Sequence, residues 1–159
     1  MNHLLSEAIR QGIDALLPKY PSDQKQSAIL PALHIVQEAH GYLSRELLDA
    51  VADYLAMSHI AVYEVASFYT MFELSPVGRH KINVCTNISC MLRGSDAIVA
   101  HCEKRLGIRL GETTPDGKFT LRSVECLAAC VNAPVCQIDK DYHEQLTPEK
   151  IDSILEGLQ

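Results

Sequence analysis

The sequence predicts an α+β protein in which an all-α helical bundle is followed by a region with a small sheet flanked by helices. Up to about residue 73, apolar residues recur at helical spacing and no strand pattern is clear. Alternating strand patterns appear only after a Pro- and Gly-containing boundary at residues 75–78. All six cysteines lie between Cys85 and Cys136. We therefore expect two domains, residues 1–77 and residues 78–159, with different roles.

The N-terminal region is predicted to contain four helices whose ends are marked by capping residues. They are residues 4–17, residues 23–40 with Asp23 as N-cap and Gly41 at the end, a helix capped by Ser44, and a helix capped by Ser58. Pro31 lies inside the second helix, which predicts either a kink or a first turn that begins late. A bundle of this size is only marginally stable alone. We expect this bundle to be stabilised by contacts with the second region or with another chain.

Composition and charge exclude several classes of partner. The chain is 47% hydrophobic and 21% charged, which is typical of a globular protein, and it contains no Lys/Arg run that would bind nucleic acid. Its longest apolar run is far shorter than a membrane span, and its N-terminus lacks the apolar core of a secretory signal. We expect a cytoplasmic protein, in which cysteines serve metal or redox chemistry rather than disulfides. Most of the net charge of −6 lies in residues 1–77, which contain 4 Lys or Arg and 9 Asp or Glu.

The second region is predicted to alternate strands with helices. The predicted elements are a strand at residues 81–84, a helix capped by Ser95 and ended by Gly107, strands at 119–124 and 135–138, a short fourth strand near Tyr142, and a last helix with Thr147 as N-cap and Pro148 at its first position. This order suits a small sheet covered by helices.

Four cysteines form two close pairs, each just after a predicted strand. Cys85 and Cys90 are a C-x4-C pair, and after 35 residues Cys126 and Cys130 form a C-x3-C pair. Each pair could supply two thiolates to one iron of a two-iron cluster. The third cysteine comes too late for the plant-type ferredoxin fold, and the C-x2-C run usual for a cubane cluster is missing.

Three alternatives to the cluster remain at this point. Structural zinc also takes four cysteines, although usually in tighter pairs. A disulfide framework would need an oxidising compartment, and four unrelated buried cysteines would rarely fall as spaced pairs in loops. The other two cysteines, Cys102 and Cys136, lie on apolar faces and are predicted to be buried side chains rather than ligands.

The chain contains no G-x-G-x-x-G and no P-loop, and it shows no nucleophile–base pair. It therefore has the character of an electron carrier that needs a partner. The competing functions are a zinc-stapled interaction module and a free-standing ferredoxin, although a free carrier has no need of the helical region.

Several motifs in order resemble the small iron–sulfur subunit (the E subunit) of bacterial NADH:quinone oxidoreductase, respiratory complex I. They are QSAILP at 26–31, HGYLS at 40–44, VASFY at 65–69, CTNISC at 85–90, TPDGKF at 114–119 and ECLAACVNAP at 125–134. The resemblance implies a thioredoxin-like [2Fe-2S] ferredoxin domain behind a helical domain. The implied ligands of the one [2Fe-2S] cluster are Cys85, Cys90, Cys126 and Cys130. Two residues depart from the family's pattern, since Ala128 stands where Gly is frequent and Cys136 where Met or another apolar residue is common.

The resemblance also implies partners and a location. The cluster would exchange an electron with the FMN of a neighbouring FMN- and NADH-binding subunit, from a position beside the main chain of clusters. The large multi-cluster iron–sulfur subunit is a further implied neighbour. The location would be the peripheral arm of a membrane-bound complex, at the inner face of the plasma membrane. The same module occurs in NAD-linked hydrogenases and formate dehydrogenases, and the compact two-domain length favours the respiratory enzyme.

Overall fold

The structure is a computed structural model that describes residues 4–158. It divides into two compact units, one ending at Pro76 and the other beginning at Val77. Helices and a four-stranded sheet are both present, which confirms the predicted α+β class. Within the described residues, no helix combines the length and the apolar character needed to span a bilayer.

In the first unit, residues 4–76 form four α-helices. They are α1 (Glu7–Leu16), α2 (Ile29–His40), α3 (Arg45–Leu55) and α4 (His59–Phe68). The predicted caps Ser44 and Ser58 each accept a backbone N–H of the first turn, as does Ser6 at the start of α1. Ser6 was not predicted, and α1 begins three residues later than the sequence suggested.

The start of α2 corrects a prediction. Asp23 does not cap it; a 3-10 turn at Lys25–Ala28 comes first and α2 begins at Ile29. Pro31 therefore lies in the first turn, where its missing N–H would have no helical partner in any case. Of the two outcomes predicted for Pro31, the late first turn is the one observed. Gly41 closes α2 with a φ of 82°, as predicted.

The core of the helical unit is apolar and continuous through all four helices. Its largest fully buried side chains are Ile13, Leu33, Val36, Leu43, Val51 and Val62. One buried amide lies beside this core. Gln37 on α2 donates from Nε2 to the Met71 carbonyl at 3.0 Å and accepts the Glu73 N–H on Oε1 at 2.7 Å. It thereby ties the segment after α4 to α2.

Residues 77–158, the described part of the second unit, contain four strands and three α-helices. They are β1 (His80–Cys85), α5 (Ile88–Leu92), α6 (Ser95–Leu106), β2 (Phe119–Val124), β3 (Cys136–Ile138), β4 (Asp141–His143) and α7 (Pro148–Gly157). The sheet order is β2-β1-β3-β4. Strands β1 and β2 are parallel, with α6 in the connection between them, and the other neighbours are antiparallel.

One face of the sheet is buried against α6 and α7. Ile82 is paired with both Leu121 and Ile138, so these three side chains share a face. They pack in one apolar cluster with residues of the two helices. Cys102 and Cys136 are fully buried in this cluster, which confirms their predicted role as core side chains. Burial raises the pKa of Cys102 to about 11 and that of Cys136 to about 12.

The start of α6 differs by one residue from the prediction. Gly94, with a φ of 92°, occupies the N-cap position, and Ser95 is the first helical residue rather than the cap. Glycine adopts this left-handed conformation easily because it has no Cβ.

Candidate metal centre

The two cysteine loops meet at one edge of the sheet. Cys85 is the last residue of β1 and pairs with Val124, the last residue of β2. The Thr86 N–H donates to the Val124 carbonyl at 3.0 Å, and the Cys85 thiol lies 3.7 Å from the Glu125 carbonyl oxygen. Parallel strands end at the same edge, so the loop that follows β2 is placed beside the end of β1. That loop carries Cys126 and Cys130.

Cys85 and Cys90 form the inner pair, and both are almost completely buried. Cys90 lies on α5, a five-residue helix whose first N–H is accepted by the Asn87 side chain at 2.7 Å. From the sequence this segment was expected to be a loop. Asn87 was the available signal for the helix, since asparagine favours the position before a first turn.

Cys90 is hydrogen-bonded to one of the other thiols and feels the charge of a second. Burial raises its pKa to about 11, and the hydrogen-bonded Cys85 thiol and the nearby Cys130 add to the rise. A hydrogen bond from the Val135 backbone opposes it. Iron binding must displace this proton, because the thiolate is the form that coordinates metal.

Cys126 and Cys130 form the outer pair and are both exposed. Between them, Ala128 has a left-handed backbone with a φ of 57°. This conformation lets the Ala128 N–H donate to the Cys126 sulfur at 3.3 Å. Glycine would adopt this conformation more easily, since the left-handed region costs a residue with a Cβ about 1 kcal/mol.

The donor set fits an iron–sulfur cluster in its chemistry. The four thiols lie at the end of β1, on α5 and in the segment after β2, and backbone N–H groups of Ala128 and Val135 bond to two of the sulfurs. Such N–H groups stabilise the negative charge on cluster sulfurs and tune the reduction potential. Among residues 4–158, no three His, Cys, Asp or Glu side chains are grouped so as to share a single metal ion.

The family follows from comparison with known proteins. Residues 13–159 match the model of the thioredoxin-like [2Fe-2S] ferredoxin family. The chain belongs to this family. The match confirms the predicted family and the cofactor, one [2Fe-2S] cluster, and it decides against the zinc alternative.

Relatives within this ferredoxin family cover nearly the whole chain. The chain is 49% identical over 94% of its length to the E 2 subunit of NADH-quinone oxidoreductase from Rhizobium meliloti, and covers 88% of that protein. It is 52% identical over 92% of its length to the E subunit of the Rickettsia conorii enzyme, again covering 88%. Both relatives are subunits of a multi-subunit oxidoreductase, as the resemblance predicted.

A solved structure shows the same fold in a larger protein. A chain of an NAD+-reducing [NiFe]-hydrogenase in its H2-reduced state superimposes with a TM-score of 0.72 over 82% of this ferredoxin-family chain. The identity is 24%, and the match spans 22% of the hydrogenase chain. At this identity, the structural likeness shows that the fold is shared and nothing more.

Proposed function

We propose that this chain is the electron-transfer subunit of an NADH:quinone oxidoreductase and that Cys85, Cys90, Cys126 and Cys130 hold its [2Fe-2S] cluster. The observation that carries the proposal is the meeting of both cysteine loops at one edge of the sheet, in a chain about half identical to E subunits. The cluster, when bound, accepts and releases one electron. The chain is not catalytic alone.

The protein contributes position, burial and hydrogen bonds. Cys85 and Cys90 hold the inner side of the site away from water, whereas Cys126 and Cys130 bring the outer side to the surface. An anionic cluster gains a further negative charge on reduction, and the Ala128 and Val135 N–H groups lower the cost of that charge. Because the outer pair is exposed, electrons would enter and leave on that side.

The partner proposed is the FMN- and NADH-binding subunit of the same complex. Apolar side chains are exposed beside both cysteine pairs, namely Ile88 and Leu92 on α5 and Val131 after Cys130, the last of them 95% exposed. Exposed apolar groups around a redox site favour docking of another protein and exclusion of water there. The large multi-cluster subunit would be a further neighbour, and the location would be the cytoplasmic peripheral arm of the membrane-bound complex.

The alternative parent complexes have less support. The hydrogenase comparison shows fold alone, and relatives near 50% identity are E subunits of NADH-quinone oxidoreductase. No specific observation favours a formate dehydrogenase. The respiratory enzyme therefore stands as the proposal.

Direct electron exchange with the flavin subunit tests this function. The holoprotein is reduced with dithionite, freed of excess reductant and mixed anaerobically with the oxidised flavin subunit. We expect the EPR signal of the reduced cluster to disappear as the flavin bleaches, with two clusters oxidised for each FMN fully reduced. Apoprotein from which iron and sulfide have been removed serves as the cluster-free control. Persistence of the EPR signal beside oxidised flavin would contradict the proposal.

A further inference from the structure

Helix α4 presents apolar side chains on both of its sides. Val62 and Ala66 are buried in the bundle core. On the opposite side, Ile60 is 71% exposed and Phe68 is 75% exposed. We use the name α4 face for the exposed apolar set formed on this helix and the segment after it by Ile60, Tyr63, Phe68, Met71 and Leu74.

The α4 face is unlike the outer surface of a helix that stays in water. Between Ile60 and Phe68, the outward positions carry only one charged side chain, Glu64. The neighbouring α3 shows the usual pattern, with Arg45, Glu46, Asp49 and Asp53 outside its buried stripe. An exposed helix surface with several large apolar side chains and so little charge is typical of a surface that another protein covers.

The sequence alone could not separate core from surface in this stretch. By residue type, Met71 and Phe72 both suit either a core or an interface position. In the structure Phe72 is buried and Met71 is exposed, so the two roles are divided between neighbours. Gln37 holds the backbone of this segment in place.

The size of the α4 face fits the centre of a protein interface. The exposed fractions of its five residues together correspond to an area on the order of 500 Å². A standard interface buries about 800 Å² per partner, with an apolar, aromatic-rich centre and a polar rim. The α4 face would supply the centre, and adjacent helices would supply the rim.

The charge of the helical unit argues against a second copy of the chain as the occupant. The helical unit carries 4 basic and 9 acidic side chains, for a net charge of −5. Two copies meeting at this face would bring two such charges together, which opposes self-association. We propose that the α4 face docks onto an apolar patch bordered by Lys and Arg on the FMN- and NADH-binding subunit. This inference rests on the proposed function and adds to it a second contact surface, separate in sequence from the cysteine loops.

Two substitutions test the α4 face without touching the core. Ser67→Arg places a cation and bulk at its centre, and Phe68→Ser removes its most exposed aromatic ring. Ser153→Arg on α7 is the matched control, because Ser67 and Ser153 are both exposed helical serines bonded to a carbonyl of the preceding turn. Each holoprotein is titrated with the purified flavin subunit at two salt concentrations. Helical circular dichroism and the cluster EPR spectrum verify that the variants are folded.

We expect both α4-face variants to raise the dissociation constant at least about tenfold, with Ser153→Arg like wild type. Wild-type binding should weaken as salt is raised. Wild-type affinity in folded variants would overturn the inference while leaving the proposed function standing. A wild-type holoprotein that neither binds nor exchanges electrons with the flavin subunit would overturn both. A concentration-dependent dimer that Ser67→Arg dissociates would identify a second copy as the occupant and so contradict this partner.

Discussion

The six cysteines fall into three pairs with different surroundings. Cys85 and Cys90 are buried at the sheet edge, Cys126 and Cys130 are exposed beside them, and Cys102 and Cys136 are enclosed in the core under α6. Residue type alone does not distinguish these pairs. The three pairs are distinguished by their positions relative to the ends of β1 and β2.

Single serine substitutions separate the proposed ligands from the core cysteines. Cys126→Ser should lose or strongly perturb the cluster, with iron falling well below about two per chain, because alkoxide or water replaces a thiolate ligand. Cys102→Ser should leave the cluster spectrum unchanged. Iron and sulfide analysis with EPR of the reduced proteins measures both. An unchanged spectrum in Cys126→Ser would refute the four-ligand set.

For individual residues, the sequence predicted which cysteines belong together but not the backbone conformation around them. The C-x4-C and C-x3-C spacings were sufficient to group the four cysteines. They could not reveal that α5 forms between the first two, since a five-residue helix carries too few turns for a periodic signal. Nor could they show that Ala128 is left-handed, because that conformation is imposed by the loop.

The end of α3 offers a test of helix termination. Ala56 closes this helix with a φ of 53°, a position where glycine is usually found. Ala56→Gly should raise the free energy of unfolding by up to about 1 kcal/mol, because the Cβ no longer opposes the left-handed backbone. Urea denaturation measures the change. Ala50→Gly inside α3 is the control and should instead destabilise by about 0.5–1 kcal/mol. A loss of stability in Ala56→Gly would show that the left-handed alanine is not strained.

The junction of α3 and α4 should respond to pH. His59 Nε2 lies 2.8 Å from Asp53 Oδ1, and Nδ1 lies 3.3 Å from Asp49 Oδ1. The hydrogen bond to Asp53 raises the pKa of His59, both aspartate charges add to the rise, and slight burial and Arg45 oppose it. A raised folded-state pKa means that the stabilisation is complete below the ordinary value of about 6.5 and is lost as pH rises through the folded value.

The comparison of wild type with His59→Gln over about pH 6 to 8 measures this contribution. The advantage of wild type in urea denaturation should grow as pH falls and vanish at the upper end. Glutamine retains a hydrogen-bond donor but cannot gain the charge. A constant difference across the range would assign the effect to packing rather than to protonation.

Elements with strong local signals were predicted well. The predictions of strand β2 and of the Thr147–Pro148 start of α7 agree with the structure, because alternation of apolar and polar residues and an N-cap followed by proline act locally. The start of α2 was wrong. Asp23 is a good cap by type, but the 3-10 turn at Lys25–Ala28 places the first α-helical turn later, and that choice depends on packing.

The two units have separate apolar cores, one formed by α1 to α4 and one between the sheet and α6 and α7. Leu33 lies fully buried in the first core and Leu121 in the second. Leu33→Ala should lower the stability of the helical unit by about 2–5 kcal/mol through the cavity it leaves, with little effect on the cluster. Leu121→Ala should instead make the cluster bleach earlier. Thermal melts followed by helical circular dichroism and visible absorbance separate the two, and equal loss of both signals in both variants would argue against independent cores.

The buried amide of Gln37 has a consequence for association. Its two hydrogen bonds fix the main chain at Met71 and Glu73, just where apolar side chains turn outward. A flexible segment would lose conformational entropy on binding, at roughly 1–2 kcal/mol for each residue whose backbone becomes ordered. Here that ordering is already complete in the free protein. The buried Gln37 amide can thus raise the affinity for a partner that it does not contact, because it holds the binding surface in a preorganised conformation.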